Sequence, residues 1–310
     1  MGARVILAVT GALGFLGHHF VNAALIEGHR CWLVDAETYA ADLSHLEHWD
    51  ERLVQYVKAD IVTLSHLPDV DVVINFAAET HVDNSVLDSR KFMCSNVLGV
   101  HNLLELVHAK RNYEMPRFLQ ISTDEVYGSV GTGTTDEATP LAPSSPYAAS
   151  KAAADLLVQS YAATYGLKYN IVRPSNCYGA GQYPEKLIPK AIRYFSQGKP
   201  MPVHDTGEHL RSWLAVEDCA AAILTVLRCS TPNEVYNVGG NTLASVITVV
   251  NAISEHFEKP QVQMEYKRAG VDHRYCVSDT KLQGLGWKPQ GSLFRDLPRL
   301  IDSEKTAFRW

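Results

Sequence analysis

A glycine-rich turn near the N-terminus constrains the fold of this chain more than any other feature of its sequence. The glycines Gly11, Gly14 and Gly17 follow an apolar run and precede a segment with helical periodicity. In a strand–turn–helix unit the first glycine permits the tight turn, the second lets a pyrophosphate approach the backbone, and the third allows close packing. Asp35 closes the second apolar run, where a carboxylate can accept hydrogen bonds from ribose hydroxyls. The spacing therefore predicts a dinucleotide site.

Short β-branched runs alternate with helical patterns over the first 175 residues, and this alternation indicates a parallel sheet with crossover helices. We predict an α/β fold with a doubly wound parallel (Rossmann) sheet in residues 1–175, to which some later segments return. Residues 176–310 contain many proline breaks and are predicted to form a smaller α/β substrate-binding lobe. The predicted strands are 5–9, 30–34, 53–58, 72–76, 118–122 and 169–173, and the predicted helices are 14–27, 89–110 and 146–165.

Charge and cysteine content exclude several classes of function. Lys and Arg total 28 and Asp and Glu total 34, so the net charge of −6 argues against nucleic acid as a partner. Apolar stretches are shorter than the roughly 18 residues of a membrane span, so we expect no membrane partner. The cysteines form neither a CxxC pair nor a Cys/His cluster, so we expect reduced thiols, no metal site and a cytoplasmic location. They are Cys31, Cys94, Cys177, Cys219, Cys229 and Cys276.

The residues around the predicted cofactor site also indicate which dinucleotide binds. A carboxylate at Asp35 repels the 2′-phosphate of NADP, so NAD is the predicted cofactor. Asp60 and Ile61 follow the third predicted strand, in a position suited to the adenine edge. Asp60 has an alternative interpretation as a turn or helix cap.

A tyrosine and a lysine lie four residues apart on one predicted helix and therefore share a face. They are Tyr147 and Lys151, and the strand before them ends at Ser122 and Thr123. A tyrosine with a pKa near 10 must be lowered by about three units, or about 4 kcal/mol, to act as a base at pH 7. We expect Lys151 and the positive nicotinamide ring to lower it. Together with the glycine turn, this is the pattern of a short-chain dehydrogenase/reductase, in which Thr123 binds the reacting hydroxyl and Tyr147 takes its proton.

Five segments carry a more specific resemblance that covers nearly the whole chain, from Val5 to about Pro289. The chain resembles the extended short-chain dehydrogenases that act on nucleotide sugars, and within them most resembles the dTDP-glucose 4,6-dehydratases. This resemblance implies a homodimer through a four-helix interface made by residues 89–110 and 146–165 of each subunit. It also implies that residues 176–310 bind the nucleotide sugar. The segments are 75–83, 121–128, 147–151, 184–189 and 284–289.

Two adjacent carboxyl groups follow Thr123, and the resemblance implies a role for each. Glu125 is the implied base that removes the C5 proton of a 4-keto sugar, and protonated Asp124 is the implied acid for the departing C6 hydroxyl. The hydride then returns to C6. Neighbouring groups with these two roles need separated pKa values, which burial and like-charge repulsion can arrange.

The resemblance further implies two sets of contact residues. The additional cofactor contacts are Phe15, Leu16, Ala77, Ala78 and Asn96, although Asn96 has an alternative role in satisfying backbone groups. The substrate contacts include two arginines at the diphosphate, because guanidinium groups bind phosphate bidentately. They are Glu79, His81, Ser85, Asn176, Lys186, Leu187, His204, Arg211, Asn237 and Arg274.

Three positions depart from the family pattern and concern the nucleotide and the sugar. His204 stands where a tyrosine usually contacts the base, Cys177 replaces a common asparagine, and Ser212 replaces an aspartate after the diphosphate arginine. The alternatives to a dehydratase are a 4-epimerase, a uronate decarboxylase and an enzyme that stops at a 5,6-ene. An NAD-binding regulator that retained the fold is the alternative outside enzymes.

Overall fold

The computed structural model describes residues 4–111, 114–258, 260–265 and 272–306. Its elements form one large sheet, two small sheets and flanking helices. The strands are β1 (Ile6–Thr10), β2 (Arg30–Asp35), β3 (Val54–Lys58), β4 (Val72–Asn75), β5 (Arg117–Ile121), β6 (Tyr169–Pro174), β7 (Asn176–Tyr178), β8 (Met201–His204), β9 (Leu210–Ala215), β10 (Glu234–Val238), β11 (Thr242–Ser245) and β12 (Val262–Glu265). The helices are α1 (Phe15–Ile26), α2 (Val82–Leu87), α3 (Arg90–Phe92), α4 (Gly99–His108), α5 (Pro146–Tyr165), α6 (Leu187–Ser196), α7 (Val216–Cys229), α8 (Val246–Ser254), α9 (Thr280–Gln283) and α10 (Leu293–Thr306).

The large sheet confirms the predicted fold class. It is seven-stranded and parallel, in the order β10-β6-β5-β4-β1-β2-β3. Each of the six predicted strands forms within two residues of its expected bounds, because long β-branched runs suit strands that are buried on both faces. The strand order reverses between β1 and β4, and ligands of such sheets bind at the carboxyl ends beside this switch point.

A seventh strand, β10, was not predicted, because it comes from a part of the chain where the alternation has ended. It pairs in parallel with β6, with Val235 opposite Ile171. Helix α7 also returns to the large sheet and packs beside α1 on one face, around Phe20 and Ile223. Helices α4 and α5 cover the other face, around Leu104 and Val158.

The predicted helix over 89–110 is interrupted. A π-helical turn, Met93–Leu98, separates α3 from α4. Insertions of this kind occur frequently at functional sites. The turn contains Asn96, which is buried and bonds to another segment, as described below.

The remaining strands form a smaller lobe with its own core. Its sheets have the orders β11-β9-β7 and β12-β8. Helices α6, α8 and α10 pack on them around Ile192, Trp213 and Leu297. The predicted boundary after residue 175 falls between β6 and β7. In the described part of the chain, no helix combines the length and apolar character needed to cross a bilayer.

Candidate active site

The glycine turn joins β1 to α1 in a backbone arrangement that larger residues could not adopt. Gly11 has a φ of +66°, and a Cβ there would lie 2.6 Å from the backbone nitrogen of Ala77. A Cβ on Gly17 would lie 2.1 Å from the carbonyl oxygen of Gly11. Gly14 is the N-cap of α1 and provides no side-chain cap, so the first N–H groups of the helix remain available to an anion.

A cleft of about 470 Å³ opens at the carboxyl ends of the strands beside this turn. Asp35 lies in its wall, where its Oδ2 accepts a hydrogen bond of 2.9 Å from the Leu13 amide. Burial raises the pKa of Asp35. The glycine cradle, the uncapped helix and the carboxylate fit a bound NAD. The predicted cofactor residues that line the cleft are Gly11, Gly14, Phe15, Leu16, Gly17, Asp35, Asp60, Ile61, Ala77, Ala78 and Tyr147.

The four residues after β5 line the same cleft, and the last two of them begin a short 3-10 turn, Asp124–Tyr127. The Thr123 hydroxyl donates to Asp124 Oδ1 at 3.3 Å, and Asp124 Oδ2 has no hydrogen-bond partner among the described residues. Burial and the neighbouring Glu125 raise the pKa of Asp124 to about 8. Burial also raises the pKa of Glu125, while Arg211 and Lys186 oppose the rise. Asp124 is therefore suited to donate a proton near neutral pH.

Tyr147 and Lys151 share the face of α5 that is turned to β5. The helix begins at the N-cap Ser145, whose Oγ accepts a hydrogen bond of 3.1 Å from the Ala148 amide. Tyr147 lines the cleft and hydrogen-bonds the side chain of Thr123. Lys151 lies behind it, and its Nζ donates to the Ile121 carbonyl at 2.5 Å.

The electrostatics of this pair differ from the expected lowering of the tyrosine pKa. Burial and the nearby Glu125 instead raise the pKa of Tyr147, and burial lowers the pKa of Lys151 to about 8. The prediction gave no weight to desolvation, which disfavours the phenolate and the ammonium ion alike. The lowering expected from Lys151 together with the nicotinamide ring stays a prediction. A cationic ligand beside Tyr147 would favour the phenolate.

Sequence reasoning missed a buried ion pair beneath these residues. Asp155 follows Lys151 by one helical turn and forms an ion pair of 2.9 Å with Arg173 on β6. Its Oδ2 also accepts a hydrogen bond of 3.0 Å from Ser122. Arg173 in turn donates to the Tyr127 hydroxyl at 2.7 Å. The spacing of four residues between Lys151 and Asp155 could have predicted that Asp155 lies near the site, since the two share a helix face.

Among the predicted substrate residues, Glu79, Asn176 and Lys186 line the cleft. The Nζ of Lys186 donates to the Thr80 carbonyl at 3.0 Å. Asn96 lies behind the wall and accepts from the Glu79 amide at 2.9 Å and donates to the Glu79 carbonyl at 3.0 Å. Asn96 thus fixes the backbone of a cleft residue, in line with its alternative role.

Two further predicted residues, Arg211 and His204, lie outside the cleft wall, and Arg211 acts electrostatically on the carboxyl pair. Arg211 stacks on the ring of Tyr275 at 4.3 Å and donates to the Asp272 carbonyl at 2.9 Å. His204 approaches Asp83, with its Nε2 3.5 Å from the carboxylate oxygen. Tyr275 and Asp272 were missed by sequence reasoning, although both act on Glu125.

The other predicted substrate residues are not brought to the cleft wall. Arg274 donates to the Gly133 carbonyl at 2.6 Å, and the buried Asn237 accepts from Tyr127 at 2.8 Å. His81 caps α2, Ser85 bonds to the Val82 carbonyl within that helix, and Leu187 begins α6. Their substrate contacts stay predictions. The cleft residues that sequence reasoning did not single out include Thr38, Lys91, Ser95, Gln182, Tyr183 and Glu185.

The positions that depart from the family pattern have distinct surroundings. Cys177 lines the cleft, whereas the Ser212 hydroxyl accepts a hydrogen bond of 3.1 Å from the Gly240 amide. All six cysteines are free thiols. Within the described ranges, His, Cys, Asp and Glu side chains form no group of three arranged to hold a metal ion.

Comparison with known proteins confirms the resemblance. The chain is 41% identical to the low-salt glycan biosynthesis protein Agl12 of Haloferax volcanii, over 95% of this chain and 96% of that protein. It is 40% identical to a dTDP-glucose 4,6-dehydratase of Xanthomonas campestris, over 97% of this chain and 93% of that protein. A crystal structure of the dTDP-glucose 4,6-dehydratase DesIV from Streptomyces venezuelae, with NAD bound, superposes with a TM-score of 0.91 at 33% identity and covers 98% of each chain.

The model of the NAD dependent epimerase/dehydratase family matches residues 7–239. This range includes the glycine turn, the carboxyl pair and the helix that carries Tyr147. With the glycine cradle and the Thr123–Tyr147 pair at one cleft, this chain belongs to the NAD dependent epimerase/dehydratase family.

Proposed function

We propose that the protein is an NAD-dependent nucleotide-sugar 4,6-dehydratase, a hydro-lyase that converts an NDP-glucose, with dTDP-glucose the first candidate, to the NDP-4-keto-6-deoxy sugar. The observation that carries this proposal is the pair formed by the buried Asp124 and the half-buried Glu125, which follows Thr123 and lines the same cleft as Tyr147. The relatives named as dTDP-glucose 4,6-dehydratases support it over nearly the whole chain.

Each residue of the pair has a separate task in the proposed reaction. Bound NAD would supply the hydride acceptor for C4 and the hydride donor for C6. Tyr147, which is hydrogen-bonded to Thr123, takes the proton of the C4 hydroxyl. Glu125 removes the C5 proton and later returns it to C5, while Asp124 protonates the C6 oxygen, which leaves as water. The raised pKa of Asp124 keeps this acid protonated at neutral pH.

Local cations would hold the diphosphate of the substrate. Lys186 lines the cleft, and Arg211 acts electrostatically on both carboxyl groups. A guanidinium can bind two phosphate oxygens at once. His204, with Asp83 beside it, is the residue we propose at the nucleotide base.

A labelling experiment tests this function. The purified protein would be incubated, without added reductant, with dTDP-glucose and with UDP-glucose, each deuterated at C4 of the sugar. We expect loss of one water and deuterium at C6 of the product, and the preferred donor identifies the base. An unchanged mass with a galactosyl product would assign a 4-epimerase, and a 5,6-ene would assign the truncated reaction. NAD binding without turnover of any nucleotide sugar would favour a regulator.

The activity should fall steeply as the pH rises through about 8. Asp124 and Lys151 both have a pKa of about 8, and each must keep its proton for its task. The protonated forms predominate below that pH, so log kcat should decline with a slope that approaches two above it. Measurement of kcat from pH 6 to 9.5, with circular dichroism as the control for folding, tests this. A rate that stays level up to pH 9.5 contradicts it.

We further propose that the protein is a homodimer in the cytoplasm. Leu98 and Leu156 lie on the two segments predicted to form the interface and are 54% and 56% exposed, so both are available to pack against a second subunit. The free cysteines agree with a reducing compartment.

Substitution of Leu98 and Leu156 by glutamate should convert this dimer to a monomer, because the new charges would be desolvated at the interface. Sedimentation velocity measures the change. The matched control is Ile26→Glu, since Ile26 is 87% exposed at the end of α1, outside the proposed interface. A native protein that sediments as a monomer would refute the dimer, and a native dimer that survives both substitutions would place its interface elsewhere.

A further inference from the structure

Glu37 has an unusual backbone conformation directly after the cofactor carboxylate. Its φ is +53°, in the left-handed region that few residues other than glycine adopt. The residues on either side of it, Ala36 and Thr38, line the cofactor cleft. The Glu37 amide donates to Asp35 Oδ1 at 2.9 Å. Such a conformation persists where neighbouring contacts hold it, and it occurs often at functional sites.

Two side chains from β3 hold the Glu37 carboxylate. Lys58 Nζ lies 2.5 Å from its Oε2, and the Tyr56 hydroxyl donates to its Oε1 at 3.0 Å. These contacts lower the pKa of Glu37, so it is ionised at neutral pH. The ion pair contributes little to stability, because the Lys58 side chain is 65% exposed.

The position of this ion pair matters more than its strength. Lys58 stands opposite Asp35 in the parallel register of β2 and β3. Burial raises the pKa of Asp35, and repulsion from the Glu37 carboxylate adds to the rise. Two negative groups and a cation therefore meet at the edge of the cleft that Asp35 assigns to the adenosine ribose.

We propose that Glu37 is a second specificity-determining residue, which favours NAD over NADP by pairing with Lys58 and so withholding this cation from a phosphorylated ribose. The proposal rests on the proposed function, because it takes the cleft to be an NAD site. A 2′-phosphate needs a cation, and Lys58 is a nearby candidate. While Glu37 neutralises Lys58, a phosphorylated ribose meets the repulsion of Asp35 without a free cation to compensate it.

A competition experiment tests the proposal without measuring activity. The purified protein would be equilibrated with mixtures of NAD and NADP, separated from free nucleotide, and its bound nucleotides quantified by chromatography. The ratio of bound NAD to NADP reports selectivity even if both bind tightly. The variants are Glu37→Gln, Lys58→Met and the double variant, and the matched control is Asp50→Asn, which removes the carboxylate of another exposed ion pair, with Arg52.

We expect Glu37→Gln to lower the selectivity for NAD about ten-fold, the effect of about 1.4 kcal/mol from one charge near a protein surface. Lys58→Met should raise the selectivity, and adding it to Glu37→Gln should remove most of the gain in NADP binding. Asp50→Asn should leave the ratio unchanged. An unchanged ratio in Glu37→Gln overturns the proposal, as does a gain in NADP binding that persists without Lys58. A native protein that binds neither nucleotide would instead refute the proposed function.

Discussion

Replacing Glu125 by glutamine should lower formation of the 4-keto-6-deoxy product by about two to four orders of magnitude, the usual contribution of a positioned acid or base. The amide keeps the shape of the side chain but cannot accept the C5 proton. Assays in deuterium oxide give a second readout, because the base returns a solvent-exchangeable hydrogen to C5. In Glu125→Gln we therefore expect little product, and we expect hydrogen at C5 of the unreacted substrate to exchange with solvent no faster than in the native enzyme.

The control for this variant is Glu51→Gln, which changes an exposed carboxylate outside the cleft. It should leave both the rate and the deuterium content unchanged. A Glu125→Gln protein with at least half of the native rate would show that another group removes the C5 proton. The assignment of Asp124 and Glu125 to elimination would then fall, whatever sugar the enzyme uses.

Replacing Arg173 by methionine should destabilise the protein by about 3–5 kcal/mol, because it leaves the carboxylate of Asp155 buried without its partner. Both side chains are almost completely buried. Burial raises the pKa of Asp155 and the cation opposes the rise, so loss of Arg173 raises it further. A folded-state pKa above the unfolded value makes stability fall as pH rises, so the deficit should shrink in acid.

Urea unfolding of Arg173→Met between pH 5 and 8 measures this loss and its pH dependence. The double variant Arg173→Met with Asp155→Leu removes both charges and should recover most of the stability, since apolar replacements of buried pairs are often neutral. If the single and double variants lose equal stability, packing rather than the uncompensated charge is responsible.

The elements that sequence reasoning predicted well depend on local patterns. The six strands and the glycine turn each depend on fewer than about ten consecutive residues, and α5 carries its own Ser145 cap and C-terminal Gly166. The π-helical turn Met93–Leu98 was not predictable in this way. It is stabilised in part by the bonds of Asn96 to the Glu79 backbone, a contact between segments that no periodicity reveals.

In the candidate site, too, the features set by local sequence could be predicted and those set by contacts between distant segments could not. Tyr147, Thr123 and the carboxyl pair follow strand and helix ends, so their meeting at one edge of the sheet could be predicted from the order of elements. The raised pKa of Tyr147 could not, because desolvation depends on how completely the surrounding elements enclose it. Nor could the approach of Tyr275 and Asp272 to Glu125, because they lie about 150 residues away in the chain.

The pairing of β10 with β6 has a consequence for synthesis of the protein on the ribosome. The chain between Pro174 and Glu234 must be translated before β10 can form. At about 5–20 residues per second, that interval lasts roughly 3–12 s. Throughout it, the growing sheet presents an unpaired edge at β6, whose residues are all buried in the finished fold. The nascent chain thus passes through a period in which holding chaperones would protect it from aggregation.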